Sequence, residues 1–299
     1  MVTKKGLSLY MAIATVALAC AALFLPSHVF AQKMFPSPEA ATEALVDALT
    51  KNDAKALRAV LGENWKRFIP TEGIERGDVD AFLTEWQKSH SIEPDTDGRV
   101  HLAVGPDKWT LPIPIVKKGD AWSFDVKAGS EEIRTRRIGR NELSAMQAAL
   151  AYYDAQKDYA LSDRNRDGVL EYAQKLLSSP GAHDGLYWTA KPGEEQSPLG
   201  PMFGTDKPGG DYHGYYFRIL KGQGKHAPGG AYDYRIKGRM TVGFALVAWP
   251  VKYGDTGVMT FTVSHAGQVY ERNLGSNTDA AARAMTLFDP DSNWRKVSP

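Results

Sequence analysis

The sequence predicts an α+β protein in two halves. Three observations carry this: helical apolar spacing in residues 38–61, a period of two in residues 99–127, and a Gly-rich β pattern after residue 240. A long helix candidate over 130–160 separates the two β patterns. The expected division is 1–31 as a signal peptide, 32–129 as the N-terminal α+β half, and 130–299 as the long helix with a C-terminal antiparallel β half.

The chain opens as an export signal. Lys4 and Lys5 precede an almost wholly apolar run from Leu7 to Leu25, which Pro26 ends. Val29-Phe30-Ala31 then offers small residues at the positions a signal peptidase reads, so cleavage is expected after Ala31. The alternative is an uncleaved anchor, because 19 apolar residues just reach across a bilayer. Cys20, the only cysteine, lies deep inside this run and fits a lipobox poorly. A periplasmic or secreted location follows, with no stable membrane insertion once the signal is removed.

Without residues 1–31 the chain has 34 basic and 35 acidic residues, a formal charge of −1. That balance gives no electrostatic case for nucleic acid or an anionic membrane surface. The same region has no cysteine, which excludes disulfides, thiol catalysis and cysteine-type zinc sites.

Ser37-Pro38-Glu39 reads as a helix start: a cap, a proline in the first turn, an acid at the positive helix end. Ala41, Ala44, Leu45, Ala48 and Leu49 make one apolar face, Asn52-Asp53 breaks and re-caps the chain, and Ala54 to Leu61 is a second helix closed by Gly62. Trp65, Phe68, Phe82 and Trp86 suggest further helix or loop packing on the same core. Alternation at Val100/Leu102/Val104, at Trp109/Leu111/Ile113/Ile115 and at Trp122/Phe124/Val126 predicts a small antiparallel meander. Pro112 and Pro114 place the middle strand at an edge.

In the long helix, Leu143, Met146, Leu150 and Tyr153 fall on one face, and Gly139 is the weak point. Tyr212 to Leu220 reads as one strand. Met240 to Pro250 reads as a buried strand, followed by strands at Val258–Val263 and Gln268–Glu271 and a helix over Thr278–Phe288.

The sequence contains no His-Glu-x-x-His, Gly-x-Ser-x-Gly, phosphate loop or dinucleotide fingerprint. His183-Asp184 and Asp211-Tyr212-His213 set a carboxylate beside an imidazole, but side chains of sequence neighbours usually diverge. No catalytic residue is assigned. One segment carries metal chemistry: Asp163 to Glu171 matches the first nine positions of an EF-hand loop. Asp163, Asn165, Asp167, the Val169 carbonyl and Glu171 would be the ligands, while Gln174 stands where a bidentate glutamate belongs. The expectation is a weak calcium site, or else a plain polar turn. Tyr187, Trp188, Tyr212, His213, Tyr215 and Tyr216 are the candidate ligand-binding residues, with a packed core as the competing reading. Alternation would put Tyr212 and Tyr216 on one face and His213 and Tyr215 on the other.

Several runs together resemble a known family. They are Phe35-Pro36-Ser37-Pro38-Glu39-Ala40-Ala41, Gly139-Arg140-Asn141-Glu142, Asp184-Gly185-Leu186-Tyr187-Trp188, Ser197-Pro198-Leu199-Gly200-Pro201, Tyr212-His213-Gly214-Tyr215-Tyr216-Phe217-Arg218 and Gly243-Phe244-Ala245-Leu246-Val247-Ala248-Trp249-Pro250. The series is similar to the exported bacterial family catalogued as domain of unknown function 2950. The resemblance implies an envelope or extracellular location and supplies no reaction. The first half is also similar to the start of nuclear-transport-factor-like cones, and the second half resembles a type IV pilin or pseudopilin head without the pilin's N-terminal helix. The functional expectation is a non-catalytic binding or structural role in the envelope, with an envelope protein or a glycan as partner. The alternative is a hydrolase or isomerase using a cone-shaped pocket in the N-terminal half.

Overall fold

The computed structural model describes residues 32–69, 75–200 and 211–299. The expected signal, residues 1–31, lies outside them. The chain divides into two compact units, with the boundary after Ser130. The class is α+β: helices and a small sheet, one long helix, then an antiparallel sheet.

In the first unit, α1 (Pro38–Thr50) starts where Ser37 Oγ accepts the Ala40 N–H at 3.1 Å, which satisfies one orphan donor of the first turn. Ala41, Leu45 and Ala48 form its buried stripe. Asp53 caps α2 (Ala54–Leu61), accepting from the Lys55 and Ala56 N–H groups. These two bonds hold its carboxyl below the usual range. After the short α3 (Trp65–Phe68) comes α4 (Arg76–Lys88). It leads into β1 (His90–Pro94), a strand the sequence pattern does not announce, which pairs with β2 (Val100–Val104).

The run 109–115 is not one edge strand. It breaks into β3 (Trp109–Thr110) and β4 (Ile115–Lys118), with the prolines between them. Pro112 and Pro114 lack the N–H that a continuous ladder needs. β5 (Ala121–Phe124) completes the sheet order β1-β2-β4-β5, with β3 against β2. Val126, expected as a strand residue, begins the long helix instead.

That helix, α5 (Val126–Tyr159), has 34 residues and runs through Gly139 without a break. Among the described residues no helix is long and apolar enough to cross a membrane. The face α5 buries is not the expected one. Leu143 is 43% exposed, whereas Ala145, Ala148, Ala149, Tyr152, Ala155 and Tyr159 are buried; Met146, Leu150 and Tyr153 sit at the margin of that core. Alanines let the helix backbone approach its neighbours closely, so size rather than hydrophobicity selects the buried stripe.

Two sets of polar contacts fix α5 within the second unit. Near residue 140, Arg137 pairs with Asp255, Asn141 Nδ2 donates to the Thr256 carbonyl at 2.8 Å, and Glu142 Oε1 accepts the Val258 and Met259 N–H groups. Further along, the fully buried Gln156 amide takes both backbone groups of Ala173, donating to its carbonyl and accepting from its N–H, each at 2.8 Å. Gln156 also donates to Tyr152 Oη, which donates to the Ala245 carbonyl at 3.1 Å.

The sheet of this unit contains β6 (Tyr215–Leu220), β11 (Ala245–Pro250), β12 (Met259–Ser264), β13 (Val269–Asn273) and β14 (Arg295–Val297), in the order β14-β13-β12-β11-β6, all antiparallel. All six residues of β11 are buried. Two small ribbons lie between β6 and β11 in sequence: β7 (Gly222–Gln223) with β8 (Tyr232–Asp233), and β9 (Arg235–Ile236) with β10 (Arg239–Met240). The last helix, α6 (Thr278–Ala284), is shorter than expected. The Arg218 guanidinium takes the carbonyls of Ala282, Arg283 and Met285 at its C-terminal end, and Met285 is already extended.

Gln156→Leu leaves both polar groups of Ala173 buried without a partner, so it should cost about 2 kcal/mol or more. Urea unfolding checks this, and a loss below ~0.5 kcal/mol would contradict the assigned role. A pH effect follows from His265, whose buried Nδ1 has no partner among the described residues and whose ring lies among Tyr232, Tyr234 and Phe244. Burial pushes its pKa below the ordinary 6.5. The unfolded chain therefore binds more protons, and stability falls as pH drops from about 6.5 through the folded value. Midpoints of thermal unfolding for the wild type and His265→Gln should converge at low pH.

Candidate functional site

Among the described residues between α5 and β6 there is no helix or strand, yet residues 172–188 are held by backbone pairing. The Tyr172 N–H reaches the Met240 carbonyl at 2.7 Å, and Leu177 bridges Tyr187 in parallel register. Gly185 permits this approach, because a side chain there would lie 2.7 Å from the Leu177 and Ser178 backbone. A cleft of about 740 Å³ opens in this region. Its rings are Tyr159, Tyr172 and His183, and its planar polar groups include Asn165, Gln174, Glu171 and Asp184.

Most charges of the cleft are engaged within the protein. Arg164, 10% exposed, lies with its guanidinium 4.7 Å from the Tyr159 ring centroid and 5.1 Å from that of Trp188, and it pairs with Glu195. This pairing holds the Glu195 carboxyl below its ordinary range. His183 stacks on Trp188 at 4.1 Å, its Nδ1 is 3.4 Å from Glu195, and its carbonyl accepts from Tyr159 Oη. Lys175 donates to Asp184 at 2.6 Å and to Ser179 Oγ at 2.8 Å. Burial alone would raise the Asp184 pKa, but these bonds and the Ser179 N–H outweigh it and hold it at about 2. Glu171 goes the other way: burial first, then Asp167 and Asp163, push its pKa up.

The Asp163–Glu171 segment is a turn closed on itself. Asp163 accepts the Asp167 and Gly168 N–H groups, Asp167 accepts the Val169 N–H, and Asn165 donates to Glu171 at 2.9 Å. Asp167 Oδ2 pairs with Arg239 at 2.6 Å. Among the described residues no group of three or more His, Cys, Asp or Glu is placed to hold a metal ion. Of the oxygens expected to wrap calcium, those of Asp163, Asn165 and Asp167 accept N–H groups of the turn, and Asp167 also takes Arg239.

The six candidate binding residues separate. Trp188, 8% exposed, stands behind His183 and donates from Nε1 to the Glu195 carbonyl; Tyr187 is half-buried beside it in sequence. The other four lie around the start of β6. The expected alternation fails there, because Tyr212 and Tyr215 exchange backbone hydrogen bonds around a two-residue turn with positive φ at His213 and Gly214. Tyr215 is fully buried, and its hydroxyl donates to the Met259 carbonyl at 2.9 Å, so this ring is core rather than a ligand-facing surface. Burial raises its pKa. Tyr216 is half-buried against Trp249 and Arg283, and Tyr212 meets His213 edge to face.

Neither sequence-adjacent carboxylate–imidazole pair forms: Asp184 goes to Lys175, and Asp211 takes the Gly214 N–H. Carboxylate–imidazole pairs form across longer separations instead: besides His183 with Glu195, His226 lies 3.0 Å from Asp289, 63 residues away. Nothing in local spacing signals it. The Arg164 clamp was equally hidden, because Tyr159, Trp188 and Glu195 come from separate segments.

The fold and the cleft define a two-unit α+β protein with a polar, ring-lined recess in its second unit. Residues 32–297 match the family model described as "Protein of unknown function (DUF2950)", and the chain belongs to that family. No curated protein and no solved structure matches it, so the pilin-like resemblance is not confirmed.

Tyr215→Ala should destabilise the protein by about 3 kcal/mol or more, since it empties a core site and orphans the Met259 carbonyl. His213→Gly relieves a positive φ at an exposed position and should leave stability unchanged or slightly raised. Equal effects of the two substitutions in denaturant titrations would contradict this placement.

Proposed function

We propose that this protein is exported and serves in the cell envelope as a binding protein whose ligand is a glycan held in the second-unit cleft. The observation that carries the reading is the cleft itself. Its volume lies in the range of small-ligand sites, about 300–1,000 Å³. Rings stand beside planar hydrogen-bonding side chains, the combination that takes the C–H face and the hydroxyls of a sugar together. The side chains are pre-ordered by ion pairs, which lowers the entropy cost of binding. Contact rather than catalysis is supported by the engagement of His183 and Asp184 with Glu195 and Lys175. Export is supported by Lys4-Lys5, the apolar run and Val29-Phe30-Ala31.

Two measurements test this. N-terminal sequencing of the protein from the producing cell should begin at Gln32; intact residues 1–31 would overturn cleaved export. Titration calorimetry against a panel of envelope saccharides should find a binder that His183→Ala weakens roughly tenfold, equivalent to ~1.4 kcal/mol. A substrate turned over by the wild type and not by His183→Ala would replace binding with catalysis.

A further inference from the structure

The cleft does not end at Lys175. A second groove of about 490 Å³ shares Gln174, Lys175 and Lys221 with it. Beyond those shared residues its lining is mainly apolar, with Leu176, Leu177, Phe217 and Ile219, joined by Arg218, whose guanidinium is taken up by backbone carbonyls. No carboxylate lines this groove, whereas Glu171 and Asp184 line the cleft. The chemistry therefore changes from one compartment to the next: rings and planar polar groups, then the two shared ammonium groups, then a mainly apolar lining. The two lysines differ. Lys175 is held by Asp184 and Ser179. Lys221 is exposed, and among the described residues no carboxylate lies within ion-pair distance of it. Its backbone carbonyl is fixed by the Tyr234 N–H at 2.9 Å, so the base of its side chain is anchored at the end of β6.

We propose that the ligand is an anionic amphiphile: a hydroxyl-rich head in the cleft, an acidic group against Lys221 and Lys175, and an apolar portion along Leu176, Leu177 and Ile219. This rests on the binding reading above and specifies its ligand. A purely hydrophilic glycan would leave the apolar groove unused. A simple fatty acid would leave the ring-lined cleft unused. Only a molecule with all three parts in this order engages both compartments, and the acidic group belongs at the shared lysines because the other cations of the two linings are already engaged: Arg218 donates to the Ala282, Arg283 and Met285 carbonyls, and Arg164 pairs with Glu195.

The test uses the full mature chain and three defined probes, each below its micelle concentration: octyl phosphate, inorganic phosphate and octyl glucoside. Octyl phosphate should bind at least tenfold more tightly than inorganic phosphate, because burying two or three methylene groups suffices for that factor. Lys221→Glu, at an exposed position, should weaken octyl phosphate at least tenfold, change octyl glucoside less than threefold, and leave the unfolding midpoint unchanged. Lys221→Arg should restore octyl phosphate binding. An alkyl chain that adds nothing, or octyl phosphate binding indifferent to Lys221→Glu, overturns the inference. If the saccharide panel still binds in a His183-dependent way, the glycan reading survives that failure. If no saccharide binds at all, both fall.

Discussion

The second unit depends on one buried amide. α5 is polar along most of its length and presents mainly alanines to the core, so hydrophobic burial alone orients it weakly. Gln156 supplies the missing specificity. Its side chain pairs with Ala173 as a neighbouring strand would, taking both backbone groups in a fully buried position. An unpaired amide there would be costly, which makes the arrangement strongly preferred over any rotated alternative. The Tyr152 hydroxyl extends the same network to the Ala245 carbonyl on β11, tying helix, irregular segment and sheet together.

The cleft is a consequence of that tie. With Ala173 fixed to α5 and Tyr172 to Met240, the neighbouring residues 174, 175 and 181–184 lie as an irregular wall of the cleft. Tyr159, three residues past Gln156 on the helix, then faces the turn that carries Arg164. The clamp of Arg164 between Tyr159 and Trp188 joins the turn to the Glu195 segment, and His183 shares the same carboxylate. The ring-lined cleft thus sits on irregular backbone, but that backbone is braced by a helix.

At the other end of α5, the run Gly139-Arg140-Asn141-Glu142 acquires a physical meaning. Asn141 and Glu142 clasp the backbone of the turn between β11 and β12, with Arg137 on Asp255 beside them. These contacts span well over a hundred residues of sequence, so the run looks like an ordinary polar helix surface until the turn is placed against it.

Elements whose signals are local were legible in the sequence. Ser37 and Asp53 cap helices because their side chains reach N–H groups two or three residues on, and β11 announces itself because a strand buried on both faces must be apolar throughout. The α+β class and the long central helix follow from such signals. Tertiary structure alone decided which face of α5 is inside, since close approach favours Ala145, Ala148 and Ala149 over the larger Leu143. It alone turned the tyrosine run at His213-Gly214, sent Tyr215 into the core, and engaged Asp167 with Arg239. The physical reason is common to all of these. A cap or a strand is stabilised by neighbours in sequence, whereas a cleft, a clamp or a buried amide is stabilised by partners that only the folded chain brings within a few ångströms.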